Sequence, residues 1–198
     1  MEKRHRIFVA INLPEEVKKQ LSKYQDKFGG AFAEGAKWTA KDNLHITLEF
    51  MGYLTDEEMA DVCFAVKEVA ERHESFSIDI NKVVYGPTPL SGVKGTLSVP
   101  KMIWATGEKS EELSKLREDL EETLLEKVRF TPEGRQFSPH VTLARLNSFA
   151  FRQMNQDEIP EVNENVELLF TVESIEVMES EMKKGGPQYV IVESHDLK

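Results

Sequence analysis

His45-Ile46-Thr47-Leu48 and His140-Val141-Thr142-Leu143 are two copies of one short pattern: a histidine, a β-branched residue, a threonine and a leucine. Side chains two residues apart in a β-strand lie on the same face of the sheet. Each copy is therefore predicted to be a strand that presents its histidine and threonine on one face and buries its two apolar residues on the other. The chain has five histidines, so a chance repeat of all four positions is rare.

Strands and helices alternate on both sides of these two motifs. Apolar periodicity predicts strands at 6–12, 44–50, 75–85, 102–106, 140–146, 168–178 and 188–193, and helices at 14–27, 55–72 and 109–127. Gly29-Gly30 is predicted to end the first helix, and Thr55-Asp56-Glu57-Glu58 has the form of a capping box at the start of the second. A loop is predicted at 86–101. This mixture favours an α+β fold with mostly antiparallel sheets and helices outside them.

Composition restricts the class of protein. The 198 residues fit one domain, and a single cysteine, Cys63, excludes a scaffold held by internal disulfides. Cys63 lies in the apolar stripe of the second predicted helix, so we expect it to be a packing residue. No apolar run approaches the length of a membrane helix and no signal-peptide pattern opens the chain, so we expect a cytoplasmic protein. The net charge of −10 argues against extended binding along a nucleic-acid duplex, although one terminal phosphate needs only a few local donors.

The paired histidines indicate acid–base chemistry at a phosphate. Histidine titrates near neutrality, so one ring can accept a proton while the other donates one. The hydroxyls of Thr47 and Thr142 can donate hydrogen bonds to phosphate oxygens. A metal site would require histidine, cysteine or carboxylate partners where these threonines stand, so we expect neither a metal nor another cofactor. A single copy of the motif would be better explained by an exposed histidine on an amphipathic strand, whereas the pair favours an active site.

The two motifs resemble the paired His-x-Thr-x motifs of the two-histidine (2H) phosphoesterases. Within that superfamily the chain is similar to the RNA 2′,3′-cyclic phosphodiesterases, historically called 2′-5′ RNA ligases. The similarity covers nearly the whole chain. The segments that carry it, besides the motifs, are 6–11, Leu13-Pro14, Trp38, Asn43-Leu44, Phe50-Met51-Gly52, Arg135-Gln136-Phe137-Ser138-Pro139, Ala144-Arg145, Ser180-Glu181-Met182 and Gly186-Pro187-Gln188-Tyr189.

This resemblance implies a single bilobal domain over residues 1–198, in which two sheets face each other across a central cleft with helices outside. It implies that His45 is the proton donor and His140 the proton acceptor. It also implies that Phe50 and Arg145 bind the nucleotide.

Phe50 and Arg145 each follow their histidine by five residues, which is an odd offset. In a regular strand an odd offset turns a side chain to the opposite face. The strands are therefore predicted to bulge or to end near these residues, because only then can both side chains reach the cleft.

The resemblance implies a hydrolase that converts a terminal 2′,3′-cyclic phosphate to a 2′-phosphomonoester. The expected partners are RNA ends with that group or small cyclic nucleotides, and we expect a monomer with no membrane partner. Three alternatives stay open at this point. The protein could also ligate RNA ends through 2′-5′ linkages, it could act on another cyclic phosphate or a 2′-5′-oligonucleotide, or it could bind RNA ends without turnover.

Several other residues carry simpler expectations. Glu49 follows Thr47 on the same face of a regular strand, where a carboxylate would repel phosphate unless it lies outside the site. Trp104 is predicted to be a core residue. The three histidines outside the motifs are expected to be solvated; they are His5, His73 and His195.

Overall fold

A computed structural model describes residues 3–32, 35–87, 100–132, 134, 137–153 and 159–198. The strands in these residues are β1 (His5–Asn12), β2 (Ala36–Trp38), β3 (His45–Leu54), β4 (Phe76–Gly86), β5 (Met102–Gly107), β6 (His140–Leu146), β7 (Asn163–Val172), β8 (Ser174–Lys183) and β9 (Gly186–Asp196). The helices are α1 (Glu15–Phe32), α2 (Asp56–Ala70), α3 (Glu111–Lys127) and α4 (Ser148–Gln153), and a short 3₁₀ turn lies at Lys41–Asn43. The predicted loop at 86–101 lies mostly outside the described residues.

The strands pair in the order β7-β4-β5-β6-β3-β1-β8-β9, with the short β2 also paired to β6. Every pairing is antiparallel. Helix α1 packs against β2 and β6, α2 packs against β8 and β9, and α3 packs against α2. The predicted α+β class and antiparallel pairing are therefore confirmed. All the strands belong to one hydrogen-bonded sheet, so the predicted division into two sheets is not confirmed.

The sheet narrows in the middle, where the two motif-bearing strands meet. β3 and β6 are paired through one pair of Cα partners, Ile46 and Val141. On either side of this junction the pairing is extensive, from β6 to β7 in one half and from β3 to β9 in the other. The two halves of the sheet thus touch at the residues that follow the two histidines.

The two ends of the sheet approach each other. β7 lies at one end of the strand order and β8 near the other, yet Glu173 is the single residue between them. Two Cα–Cα steps span at most about 7.6 Å. The sheet must therefore curl strongly. The curl is supported by the C-terminus, where the Leu197 N–H donates to the Glu173 carbonyl oxygen at 2.8 Å.

The predicted strand at 168–178 is wrong, because it joins two strands. Its first part belongs to β7, which pairs with β4, and its second part belongs to β8, which pairs with β1 and β9. The buried apolar positions change phase at the break, from Phe170 and Val172 in β7 to Ile175 and Val177 in β8, and the prediction missed this change.

The ends of the helices follow local chemistry in one case and packing in another. The capping box at Thr55 is present, with Thr55 Oγ1 accepting from the Glu58 N–H and the Glu58 carboxylate accepting from the Thr55 N–H. The predicted end of the first helix at Gly29-Gly30 is wrong, because α1 continues to Phe32. Phe28 and Phe32 are buried one turn apart, and their burial holds those last turns against the core. None of the described helices is long and apolar enough to cross a membrane.

Candidate active site

Both motifs form strands at the junction between the two halves of the sheet. Ile46 and Val141 are buried partners, and the apolar fourth residues, Leu48 and Leu143, are buried as well. Continuing this antiparallel register by one residue places His45 beside Thr142 and Thr47 beside His140. The two histidine–threonine pairs are thus brought together on the face of the sheet opposite the buried residues.

A β-bulge interrupts each motif strand at its leucine. In the pairing of β1 with β3, Ala10 lies opposite Thr47 but Val9 lies opposite Glu49, so Leu48 is the extra residue. In the pairing of β5 with β6, Trp104 lies opposite Thr142 and Ile103 opposite Ala144, so Leu143 is the extra residue. An extra residue reverses which face the following side chains occupy.

These two bulges are the irregularities that the odd offset of Phe50 and Arg145 required. After the Leu48 bulge, the exposed ring of Phe50 lies opposite Phe8 in the β1 pairing, with its centroid 6.2 Å from that of Phe8. Phe8 also contacts His45, so Phe50 belongs to the histidine face. Arg145 is likewise exposed after the Leu143 bulge.

His45 is held in place by two hydrogen bonds and two aromatic rings. Its Nδ1–H donates to the Asn43 carbonyl oxygen at 2.7 Å, because a carbonyl can only accept. That bond fixes the tautomer of the neutral ring and leaves Nε2 to accept from the Thr47 hydroxyl at 2.9 Å. Phe8 and Tyr189 enclose the ring, with centroids 5.0 and 5.1 Å from that of His45. Nε2 is therefore the nitrogen on the open side of the ring.

The side chain of Asn43 ties His45 to the hairpin formed by β8 and β9. Its Nδ2 donates to the Pro187 carbonyl oxygen at 2.7 Å, and its Oδ1 accepts from the Tyr189 N–H at 3.1 Å. The same residue thus positions the ring of Tyr189 against His45 and supplies the carbonyl that orients His45.

His140 is oriented in the same way as His45 but has a different neighbour. Its Nδ1–H donates to the Ser138 carbonyl oxygen at 2.8 Å. The indole of Trp104 stacks on the imidazole, with centroids 3.9 Å apart and planes inclined by 25°. Gly86 makes room for that indole, since a Cβ there would lie 2.1 Å from a Trp104 ring carbon. The prediction of Trp104 as a core residue is wrong, because the β5 register places it on the face of Thr142.

Phe8, Trp104 and Tyr189 are site residues that the sequence did not identify by role. Phe8 and Tyr189 lie in segments that resemble the family, but aromatic residues are equally common in cores. Strand pairing decides that these rings lie on the histidine face.

Comparison with known proteins agrees with this geometry. The model of the family described as LigT-like phosphoesterase matches residues 11–93 and 103–189. The chain belongs to the LigT-like phosphoesterase family. Membership makes it an enzyme of the hydrolase class. An RNA 2′,3′-cyclic phosphodiesterase of Thermus thermophilus is 31% identical over 198 residues, covering 98% of this chain and 90% of the relative.

Two further matches bear on the extent of the likeness. A Geobacillus stearothermophilus relative, also named RNA 2′,3′-cyclic phosphodiesterase, is 29% identical over 72% of this chain, which is 42% of that longer relative. The crystal structure of TT0787 of Thermus thermophilus superposes with a TM-score of 0.77 at 29% identity and covers 97% of both chains. The fold of this LigT-like phosphoesterase is thus matched over 97% of the chain.

Burial sets the protonation state of His45 in this phosphoesterase. It lowers the pKa of His45 to about 4; the Asn43 carbonyl opposes this shift, and the charges of Lys18 and His140 add to it. The ring is therefore neutral near pH 7, in agreement with a Nε2 that accepts from Thr47.

The lowered pKa of His45 predicts a loss of stability in mild acid. The pKa of a histidine in an unfolded chain is near 6.5, whereas that of folded His45 is about 4. Between these two pH values the unfolded chain therefore binds a proton that the folded chain does not. Protonation thus favours unfolding. The contribution of His45 is complete above pH 6.5 and is lost as the pH falls through 4. At pH 5 the loss should be about 2 kcal/mol.

Denaturant unfolding at pH 7.5 and pH 5.0 measures this effect. His45→Gln, which cannot titrate, should lose less stability than the native protein over the same interval, by about 2 kcal/mol. Equal losses in the two proteins would show that the folded protein does not hold His45 neutral.

Glu49 lies outside the site, which settles the concern raised by its sequence position. The Leu48 bulge turns its side chain to the core, where 1% of it is exposed. There it forms an ion pair with Arg117 of α3, whose side chain is 9% exposed. Arg117 also bonds Glu121 at 2.6 Å and lies 5.8 Å from the ring centroid of Phe137. The carboxylate therefore does not lie on the face that carries His45 and Thr47.

The expectation that the remaining histidines are solvated is wrong for two of them. His5 is buried, with Nδ1 2.8 Å from Glu179 and Nε2 3.0 Å from Asp56. The side chain of His195 is 9% exposed. Both lie in strands of the half of the sheet that runs from β3 to β9, and strand pairing rather than proximity to the chain ends determines their burial.

Proposed function

We propose that this enzyme hydrolyses a 2′,3′-cyclic phosphate at an RNA end, or in a small cyclic nucleotide, to a 2′-phosphomonoester. The observation that carries the proposal is the β3–β6 junction, which brings two histidines and two threonines together on one face. The two halves of the sheet would act as two lobes of a single domain over 1–198, with the substrate in the cleft between them. Relatives that bear the name RNA 2′,3′-cyclic phosphodiesterase support this substrate.

The two rings divide the proton transfers. His140 accepts a proton from water as the water oxygen bonds to phosphorus. The bond from phosphorus to the ribose 3′-oxygen breaks, and His45 donates a proton to that oxygen. In each ring Nδ1–H is committed to a backbone carbonyl, so Nε2 carries the exchanged proton. No metal enters these steps.

His45 must gain its proton when the substrate binds, because burial keeps it neutral in the free protein. A phosphate anion beside the ring favours the protonated form, as an opposite charge at close range does for any imidazole. The two histidines share one site, so their pH dependence belongs to the couple.

Thr47 and Thr142 would bind the phosphate oxygens. The Thr47 hydroxyl already donates to His45 Nε2 at 2.9 Å, so a phosphate oxygen near that ring lies within its reach. The β3–β6 register places Thr142 beside His45 across the junction, so its hydroxyl would reach the same phosphate. Phe50 and Arg145, which are both exposed after the bulges in the two motif strands, would hold the nucleotide base between a ring and a guanidinium.

Product analysis tests the proposal directly. Purified protein incubated with adenosine 2′,3′-cyclic phosphate in EDTA should yield adenosine 2′-phosphate, which separates chromatographically from the 3′-isomer. The rate should pass through a maximum with pH, because one ring must be neutral and the other protonated. A 3′-phosphate product would show that the two histidines have exchanged roles.

Other outcomes of the same assay separate the alternatives. Activity lost in EDTA and restored by a divalent ion would contradict the metal-independent mechanism. Binding of the nucleotide without turnover would favour a module that holds RNA ends. Incubation of RNA fragments that carry 2′,3′-cyclic phosphate with fragments that carry a 5′-hydroxyl tests 2′-5′ ligation. The cytoplasmic location and the monomeric state stay predictions from the sequence.

A further inference from the structure

The bulge at Leu143 is held by a side chain from another element. Gln25 of α1 donates from Nε2 to the Leu143 carbonyl oxygen at 2.9 Å and to the Thr39 carbonyl oxygen at 2.8 Å. The Leu143 oxygen also accepts from the Thr39 N–H at 2.9 Å. The extra residue of the bulge thus has its carbonyl bonded twice, once by the backbone and once by Gln25.

The carboxamide of Gln25 suits this position for a chemical reason. A primary amide has two N–H donors on one nitrogen, and here two carbonyls lie within reach of that nitrogen. Gln25 therefore connects the residue after β2 to the bulge in β6. A carboxylate in its place would have no donor for either carbonyl.

The bulge decides where Arg145 lies. Without the extra residue, Arg145 would exchange faces with Ala144, which is fully buried against the core. With it, Ala144 packs inside and Arg145 is exposed on the face of His140. β2 also fixes the backbone of this part of β6, since Lys37 pairs with Arg145 and Trp38 pairs with Ala144.

We infer that Gln25 is a positioning residue for Arg145, and through it a determinant of how tightly the enzyme binds the base of its nucleotide. This inference rests on the proposed function, in which Arg145 contacts the base. The two hydrogen bonds of Gln25 go to backbone carbonyls of Thr39 and Leu143, and neither goes to a motif histidine. Its effect should therefore depend on whether the substrate has a base.

Two substrates separate the contribution of the base from the chemistry. Adenosine 2′,3′-cyclic phosphate carries a base, and glycerol 1,2-cyclic phosphate has the same cyclic phosphate without one. Gln25→Leu should raise KM for the nucleotide about two- to tenfold, the range for one weakened guanidinium–base contact, and leave kcat/KM for the glycerol compound unchanged. Retained turnover of the glycerol compound shows that the variant is folded. Gln20→Leu makes the same change in α1 at a residue that is not bonded to Thr39 or Leu143, and it should match the native enzyme on both substrates.

Arg145→Ala and the double variant complete the test. Arg145→Ala should raise KM for the nucleotide but not for the glycerol compound. Adding Gln25→Leu to Arg145→Ala should raise KM for the nucleotide no further, because Gln25 acts through Arg145. If Arg145→Ala discriminates between the substrates but Gln25→Leu does not, or if the two effects add, the inference is wrong and the base contact stands. If Arg145→Ala raises KM for both substrates equally, the base contact of the proposed function is wrong, and the inference is wrong with it.

Discussion

Replacement of either His45 or His140 by alanine is expected to lower kcat for adenosine 2′,3′-cyclic phosphate by about a hundred- to ten-thousand-fold, the contribution of one general acid or base. The physical reason is that each ring exposes a single nitrogen to the site and the opposite ring cannot serve both transfers. Both rings lie on the face of the sheet opposite the buried residues Ile46 and Val141, so the fold should persist. Steady-state kinetics and the far-UV circular dichroism of each variant measure the two properties.

The double variant and a matched control sharpen this result. His45→Ala/His140→Ala should be little worse than either single variant, because residues that act as a unit are not additive. His73→Ala removes a histidine whose Nε2 bonds Asp119 at 2.8 Å, away from the junction, and it should retain turnover. Activity near the native level in either motif variant would end the two-histidine mechanism.

Arg117→Met is expected to destabilise the protein by about 3–5 kcal/mol. The substitution removes the guanidinium that pairs with the buried carboxylate of Glu49, and taking one partner out of a buried ion pair is costly. Urea unfolding of the native and variant proteins at one pH measures the difference. The same change also removes the cation beside Phe137, which precedes the Ser138 carbonyl that orients His140.

Two controls separate burial from charge. Glu49→Leu/Arg117→Met removes both charges and should recover most of the lost stability, because an apolar pair of similar volume often replaces a buried ion pair at little cost. Lys115→Met breaks an exposed pair with Glu111 in the same helix and should change stability by less than about 1 kcal/mol. A loss of less than 1 kcal/mol in Arg117→Met would show that the Glu49–Arg117 pair is not needed for stability.

Local patterns were sufficient for much of the fold and part of the site. Period-two alternation identified 140–146 as a strand with its observed ends, and the capping box at Thr55 located the start of α2. The odd offset of Phe50 and Arg145 required irregular strands, and a bulge is present before each residue. The roles of the six proposed site residues stay predictions until the kinetic experiments above are done.

Long-range pairing decided what local patterns left open. The sequence marks the break at Glu173 only by a change of apolar phase between Val172 and Ile175, and strand pairing shows that the two parts join different neighbours. Trp104 could lie on either face of its strand, and the register of β5 with β6 placed it on His140. Glu49 turned to the core because the bulge reversed its face and Arg117 was there to pair with it.

By itself, the sequence determined that both motifs form strands with one apolar and one polar face, because strand periodicity depends on neighbouring residues and is encoded within each motif. Only the tertiary structure decided how the site is completed. The junction of Ile46 with Val141, the amide of Gln25 at the Leu143 bulge and the rings around the two histidines all join segments distant in sequence. The free energy of such contacts comes from burial and hydrogen bonding after the chain has folded, and no local periodicity specifies their partners.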